Sequence, residues 1–154
     1  MPAYSHRAPG VIGAAMDSDD SVVELICDGI HVHPAVVRNT FKFFGGERIC
    51  LISDSMEATG MPNGKYSLGG QEVFVTDRHA TLKDGTLAGS ASTLWDCFKQ
   101  VLKMGVPVEE AVTAATVTPA KEAGIFERFG SISEGKTAEL IVTDDKFEIL
   151  EVIG

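Results

Sequence analysis

The stretch from residue 22 to residue 53 constrains the fold more than any other. It reads VVELIC, then PAVVRNTFKFFGG, then RICLIS. The outer pieces are short and mostly apolar with β-branched residues, the pattern of strands over 22–27 and 48–53. The middle piece opens on Pro34, which suits a first helical turn, and closes on Gly45 and Gly46. Val37, Phe41 and Phe44 recur along it at helical spacing, so 34–46 reads as a helix with one apolar stripe. Strand, helix, strand in this order predicts a parallel βαβ unit, because the helix supplies the crossover that two parallel neighbours need.

Such units collect ligand groups at the C-terminal ends of their strands. Two polar clusters lie at those ends here: Asp28 with His31 and His33, and Asp54 with Glu57, Thr59 and Gly60. A carboxylate at Asp54 is open to three roles: general base, metal ligand, or cap of the loop that follows. In an extended HVH segment His31 and His33 would point to one side, which suits metal ligation. The same pair also fits polar loop residues or substrate hydrogen bonding. Arg7, in HRAPG, sits on a loop constrained by proline and glycine. That suits bidentate binding of phosphate or carboxylate, as well as a plain surface position. The segment TLAGS (86–90) precedes a helix, where backbone N–H groups can cradle a polar ligand.

Elsewhere the pattern changes twice. Residues 66–89 alternate in short pieces between glycine-rich turns and read as a β excursion. SASTLWDCFKQVLKMG (90–105) reads as a helix capped by Ser90 or Ser92, with Leu94, Phe98, Val101 and Leu102 as its stripe. Helices over 107–116 and 119–124 follow. Strands over 138–143 and 147–152 around Asp144 and Asp145 then predict a hairpin. At 154 residues the chain is long enough for a real core. Its net charge of -9 disfavours nonspecific association with nucleic acid or an anionic membrane. No apolar run reaches the length of a membrane span. Cys27, Cys50 and Cys97 lack metal-ligand spacing and sit in apolar stretches, so they read as buried free thiols of a reducing cytoplasm.

Taken in order, HRAPG, DGIHVHP, LISDSMEATG, DGTLAGS, AVTAATVTPAKEAG and GSISEGKTAELIV resemble stretches of N-acetylglucosamine-6-phosphate deacetylases, of the amidohydrolase superfamily. The resemblance covers essentially the whole chain. It implies an α/β fold: part of a (β/α)8 TIM barrel of the metal-dependent hydrolase type over 1–129, and strands of an incomplete small β-sandwich over 130–154. It implies hydrolysis of the acetamide of N-acetylglucosamine 6-phosphate to glucosamine 6-phosphate and acetate, in the cytoplasm, by a homodimeric enzyme. Asp54 matches the family's general base and later general acid. His31 matches a catalytic histidine that contacts the substrate near the acetyl carbonyl, and His33 has no matching role. Arg7 matches the arginine that binds the sugar phosphate, and Leu87 and Ala88 fall in a substrate-binding loop. The family uses a divalent metal, zinc or iron, whose glutamate and histidine ligands have no counterpart here, so no metal ligand is assigned. HRAPG follows a THLFNAM-like strand end in the family, and Met1 resembles the methionine of that motif. The chain thus resembles the C-terminal half of the enzyme. It is expected to lack activity alone, and either to be poorly soluble by itself or to associate with a complementary N-terminal fragment. The competing expectation is a phosphosugar-binding or assembly module without chemistry, or an inactive gene fragment.

Overall fold

The computed structural model describes residues 3–154; the expectation placed on Met1 lies outside them. The parallel unit forms as the sequence predicts. Strand β1 (Val23–Ile26) pairs in parallel with β2 (Ile49–Ile52), in register from Val23 opposite Ile49 to Ile26 opposite Ile52. A helix over Pro34–Phe44 makes the crossover. Gly45 ends it at φ 62°, its N–H returning to the Phe41 carbonyl, and a 3₁₀ turn over Gly46–Arg48 leads into β2. That left-handed conformation is one glycine adopts without steric cost.

One helix precedes this unit and has no sequence signal. Numbered in chain order, α1 spans Gly10–Asp17 and the crossover helix is α2. The α1 segment GVIGAAMD carries two glycines and no side-chain cap, so propensity argues against a helix there. It buries no residue fully, but Ala15 and Met16 pack against the main core, and such packing overrides propensity.

Helices α3 (Leu94–Lys103) and α4 (Val108–Ala115) close over the strand pair. Their Phe98, Val101, Ala111 and Ala114 meet Val37 and Phe41 of α2 and Leu25, Ile49 and Leu51 of the strands in one core. A short α5 (Val117–Glu122) continues from α4. Its Thr118 hydroxyl donates to the Gly46 carbonyl at 2.7 Å, and the Glu110 carboxylate of α4 accepts the Gly46 N–H. The capping expectation for α3 needs correction. Thr93, not Ser90 or Ser92, caps it: the Thr93 hydroxyl accepts the Asp96 N–H at 3.1 Å, and the Asp96 carboxylate accepts the Thr93 N–H at 2.9 Å. This reciprocal capping box satisfies two terminal donors at once. Ser90 and Ser92 are instead fully buried.

The β excursion is a three-stranded antiparallel sheet: β3 (Gly64–Leu68), β4 (Gln71–Thr76) and β5 (His79–Thr81). Both of its hairpins turn through two residues with positive φ, Gly69-Gly70 and Asp77-Arg78. That geometry matches the right-handed twist of the flanking strands. Val73, Val75 and Ala80 pack with Met56, Ala58 and Ala88 in a second core beneath the loop that follows β2.

The chain ends in an antiparallel hairpin of β6 (Leu140–Thr143) and β7 (Ile149–Ile153). The second strand begins two residues later than expected, because Phe147 leaves the hairpin. Its backbone turns to φ 60° and its ring meets Phe98 of α3 edge-on at 5.7 Å. The Trp95 indole N–H donates to the Phe147 carbonyl at 3.2 Å, fastening the hairpin to α3. The architecture is a mixed α/β fold with a partial, barrel-like core and a separate C-terminal hairpin. Leu150 and Val152 stay about two-thirds exposed (67% and 68%), more apolar surface than a finished two-stranded sheet usually leaves bare. Cys27, Cys50 and Cys97 are buried free thiols, as expected.

Candidate functional site

The register of the parallel pair brings the two polar clusters together. Ile26 and Ile52 are the last paired residues. Asp28 and Asp54 each follow two positions later, so both leave the same C-terminal end of strands that run about 4.8 Å apart.

Asp28 is 1% exposed and accepts four hydrogen bonds. Its Oδ1 takes the backbone N–H of Ile30 at 2.9 Å and of His31 at 3.0 Å. Its Oδ2 faces His31 Nδ1 at 2.8 Å and takes the Ser90 hydroxyl at 3.3 Å. Gly29 makes this tight turn possible. It sits at φ 81°, and a Cβ there would meet the Gln100 side-chain nitrogen at 2.7 Å. Burial pushes the Asp28 carboxyl up, but the backbone N–H groups of His31 and Ile30 and the His31 imidazole outweigh it. Together they hold Asp28 below the usual carboxylate range. The sign of its contribution to stability follows. A carboxyl with a folded pKa below its unfolded one stabilises the fold above the ordinary value of about 3.9, and that gain is lost as the pH falls through the folded value. Asp28→Asn is therefore expected to destabilise the chain at neutral pH by about 1–3 kcal/mol, the cost of a disrupted buried bond. The deficit should shrink as the pH falls below the ordinary carboxylate value and the wild-type carboxyl protonates. Urea unfolding of both proteins across that range measures it, and a deficit independent of pH would contradict the assignment.

Asp54 differs in every respect. It is exposed, and its backbone sits at φ 52°, a left-handed conformation uncommon outside glycine. Among the described residues its carboxylate has no hydrogen-bond or ion-pair partner, so the capping role left open by the sequence is not the one observed. Its carbonyl accepts the Ser90 N–H at 2.9 Å, and the Ser90 carbonyl accepts the Met56 N–H at 2.9 Å. Ser90 thereby joins both strand ends: its backbone is stitched beside Asp54 and its hydroxyl reaches Asp28. Position along the sequence gave no hint of this, since a serine four residues before a helix reads as a cap. The Asp28-Gly29 pair at a strand end was the visible half of the network.

The two histidines separate. His31 is held by Asp28. His33 begins α2, where its Nδ1 accepts the Ala35 N–H at 3.2 Å. The HVH segment is a loop rather than an extended strand, because the Asp28 turn bends it, so the expected parallel imidazoles do not occur. Among the described residues no three His, Cys, Asp or Glu side chains come together to hold a metal. The reasons are local. Four donors occupy Asp28, His31 Nδ1 faces it, and His33 caps a helix. These residues do not fit a metal site of their own. Below them, burial and the nearby Asp28 charge push the Cys97 thiol up to about 11, and burial followed by Cys97 and Asp28 pushes Cys27 higher still. Both stay protonated and inert.

In the TLAGS segment Leu87 is exposed and Ala88 buried. The Ala88 N–H is committed to the Ala80 carbonyl at 3.0 Å, which leaves Leu87 as the outward-facing member. Arg7 lies exposed in the turn closed by the Ala8 N–H to the Ser5 carbonyl at 3.1 Å. Among the described residues it makes no ion pair.

The amidohydrolase family model matches residues 5–153. An N-acetylglucosamine-6-phosphate deacetylase of Bacillus subtilis is 39% identical over 154 residues, covering 99% of this chain and 39% of that protein. A putative N-acetylgalactosamine-6-phosphate deacetylase of Escherichia coli K12 is 35% identical over 153 residues, and 91% of its length is covered. Among solved structures, an N-acetyl-D-glucosamine-6-phosphate deacetylase mutant from Mycobacterium smegmatis, in complex with N-acetyl-D-glucosamine-6-phosphate, superposes with a TM-score of 0.89. It is 33% identical, with 99% of this chain and 41% of that one covered. The chain thus spans about 40% of the length of the first and last of these relatives. No helix of the described residues is long and apolar enough to cross a membrane. The chain belongs to the amidohydrolase family and, within it, to the N-acetylglucosamine-6-phosphate deacetylases.

Proposed function

We propose that this chain carries the proton-handling and substrate-facing part of a deacetylase that cleaves N-acetylglucosamine 6-phosphate to glucosamine 6-phosphate and acetate. In this reading it corresponds to the C-terminal half of the longer relatives, with barrel elements over 1–129 and β-sandwich strands over 130–154. It works in the cytoplasm, in a homodimer or with a complementary segment that brings the metal donors. The observation that carries the reading is Asp54, an exposed carboxylate that has no side-chain partner among the described residues and is held in a left-handed conformation at a strand end. Strain of that kind collects where a side chain must be presented rather than packed. Asp54 takes a proton from the attacking water and returns one to the departing amine, the two proton transfers that amide hydrolysis requires. His31 faces the acetyl carbonyl and stabilises the charge that develops there. Arg7 binds the phosphate, and Leu87 lines the sugar.

The test is a graft. The 154 residues replace the matching 39% of the Bacillus subtilis relative, and acetate release from N-acetylglucosamine 6-phosphate is followed. Activity in the graft supports the reading, and a folded, metal-loaded but silent graft would reject it. In the active graft, Arg7→Ala is expected to raise KM about 10- to 100-fold with little change in kcat. It removes a charge-assisted contact worth about 1.5–3 kcal/mol that substrate and transition state share. An unchanged KM would remove Arg7 from the site.

A second reading, a phosphosugar-binding module without chemistry, is favoured by one observation. The phosphate and sugar contacts assigned above need no metal, and the described residues group no metal donors. Calorimetry of the unfused chain with glucosamine 6-phosphate separates the two. Saturable binding that Arg7→Ala abolishes, in a chain whose graft is inactive, selects the module.

A further inference from the structure

We infer that Asp28 is a positioning residue that fixes the protonation pattern of His31, with Nδ1 carrying the inward proton and Nε2 presented to the substrate. The inference rests on the site role proposed for His31, but its test does not need activity.

The argument is one of donors and acceptors. Asp28 is buried and held ionised by the N–H groups that surround it, so its carboxylate can only accept. Its Oδ2 faces His31 Nδ1 at 2.8 Å, a bond that exists only if Nδ1 bears the proton. The Ser90 hydroxyl, at 3.3 Å from the same oxygen, occupies the second side of Oδ2. The His31 backbone N–H, bound to Oδ1 at 3.0 Å, ties the histidine's main chain to the same carboxylate. Both the ring and its backbone therefore hang on one group. With Nδ1 committed, Nε2 is the nitrogen left for a ligand. It accepts when the ring is neutral and donates when the ring is charged, and the buried carboxylate balances that charge. Ser90 links the carboxylate that holds this histidine to the strand end of Asp54: its hydroxyl reaches Asp28 and its N–H donates to the Asp54 carbonyl. A ring free to swap tautomers would offer the acetyl group a donor in one state and an acceptor in the other. Asp28 removes that choice.

Asp28→Asn discriminates this role from a merely structural one. Oδ1 must still accept from Ile30 and His31 to keep the turn, so the amide nitrogen takes the place of Oδ2. A donor then faces Nδ1, and the neutral ring has to move its proton to Nε2. Nitrogen-15 NMR of the histidine rings reads the tautomer directly. It is applied to the 154-residue chain above pH ~7.5, where free histidine is neutral. His31→Gln identifies the His31 signals. The wild-type chain is expected to show a protonated Nδ1 and a bare Nε2, the reverse of the tautomer that free imidazole favours. Asp28→Asn is expected to exchange the two signals, and Ser90→Ala, which leaves the carboxylate in place, to keep the wild-type pattern. If Asp28→Asn does not fold, the wild-type and Ser90→Ala spectra still decide. A bare Nδ1 on His31 in the wild-type chain overturns the inference, as does a tautomer that survives Asp28→Asn.

Discussion

Asp54→Asn is expected to lower kcat for deacetylation in the grafted enzyme by about 10²- to 10⁴-fold, the usual worth of a positioned general acid-base group. That corresponds to about 3–5 kcal/mol of barrier. Asparagine keeps the size of the side chain and one acceptor oxygen, and it tolerates a left-handed backbone as well as aspartate does. The φ of 52° at this position is therefore no obstacle to folding. What it loses is the ability to take a proton from the attacking water and pass one to the amine. KM should change much less, since the carboxylate acts mainly where charge and protons move in the transition state. Among the described residues the side chain holds nothing in place, so a structural role predicts no loss in either parameter. A kcat within about threefold of the parent, against the 10²-fold minimum expected of a general base, would end the catalytic assignment of Asp54. The contrast with Asp28 sharpens the point. Two carboxylates leave neighbouring parallel strands at equivalent positions. One is buried under four hydrogen bonds and, among the described residues, the other is exposed without a side-chain partner; the proposed division into a support and a reactive group rests on that contrast.

Much of this was legible in the sequence, for reasons that can be named. VVELIC and RICLIS are short, mostly apolar and carry β-branched residues, the pattern of strands, and the helix between them sets their direction. The β excursion read over 66–89 was visible because its alternating pieces are separated by glycine-rich turns such as Gly69-Gly70, whereas the second turn, Asp77-Arg78, carries no glycine to mark it. Features that depend on contacts distant in sequence were not legible. Ser90 reaches Asp28 across 62 positions, and nothing near SAST signals it, so the serine reads as a cap. Helix α1 was hidden because its two glycines and uncapped start give no helix signal, while Ala15 and Met16 pack against the core. The division of labour between His31 and His33 was equally hidden. Alternation along HVH assumes an extended chain, whereas the Asp28 side chain competes for the backbone and folds the segment into a turn. Phe147 shows the same limit at the hairpin: β propensity favours a strand there, but the aromatic contacts of α3 draw it out.

The unfused chain is expected to release no acetate from N-acetylglucosamine 6-phosphate, even with zinc supplied. Asp54 alone faces ordinary water, which gives up a proton far less readily than water bound to a metal ion. The donors that would change this are not grouped among the described residues, and the histidines nearest the strand ends, His31 and His33, are committed to Asp28 and to the start of α2. In the proposed division of labour this chain holds the proton-handling and substrate-facing side of the reaction, and the metal donors come from elsewhere. That division is tested most directly by one assay of purified 154-residue protein with zinc and N-acetylglucosamine 6-phosphate, reading acetate over time. The predicted result is a rate indistinguishable from buffer. Turnover at about 1 s⁻¹ or faster, within the ordinary range of enzymes, would contradict it.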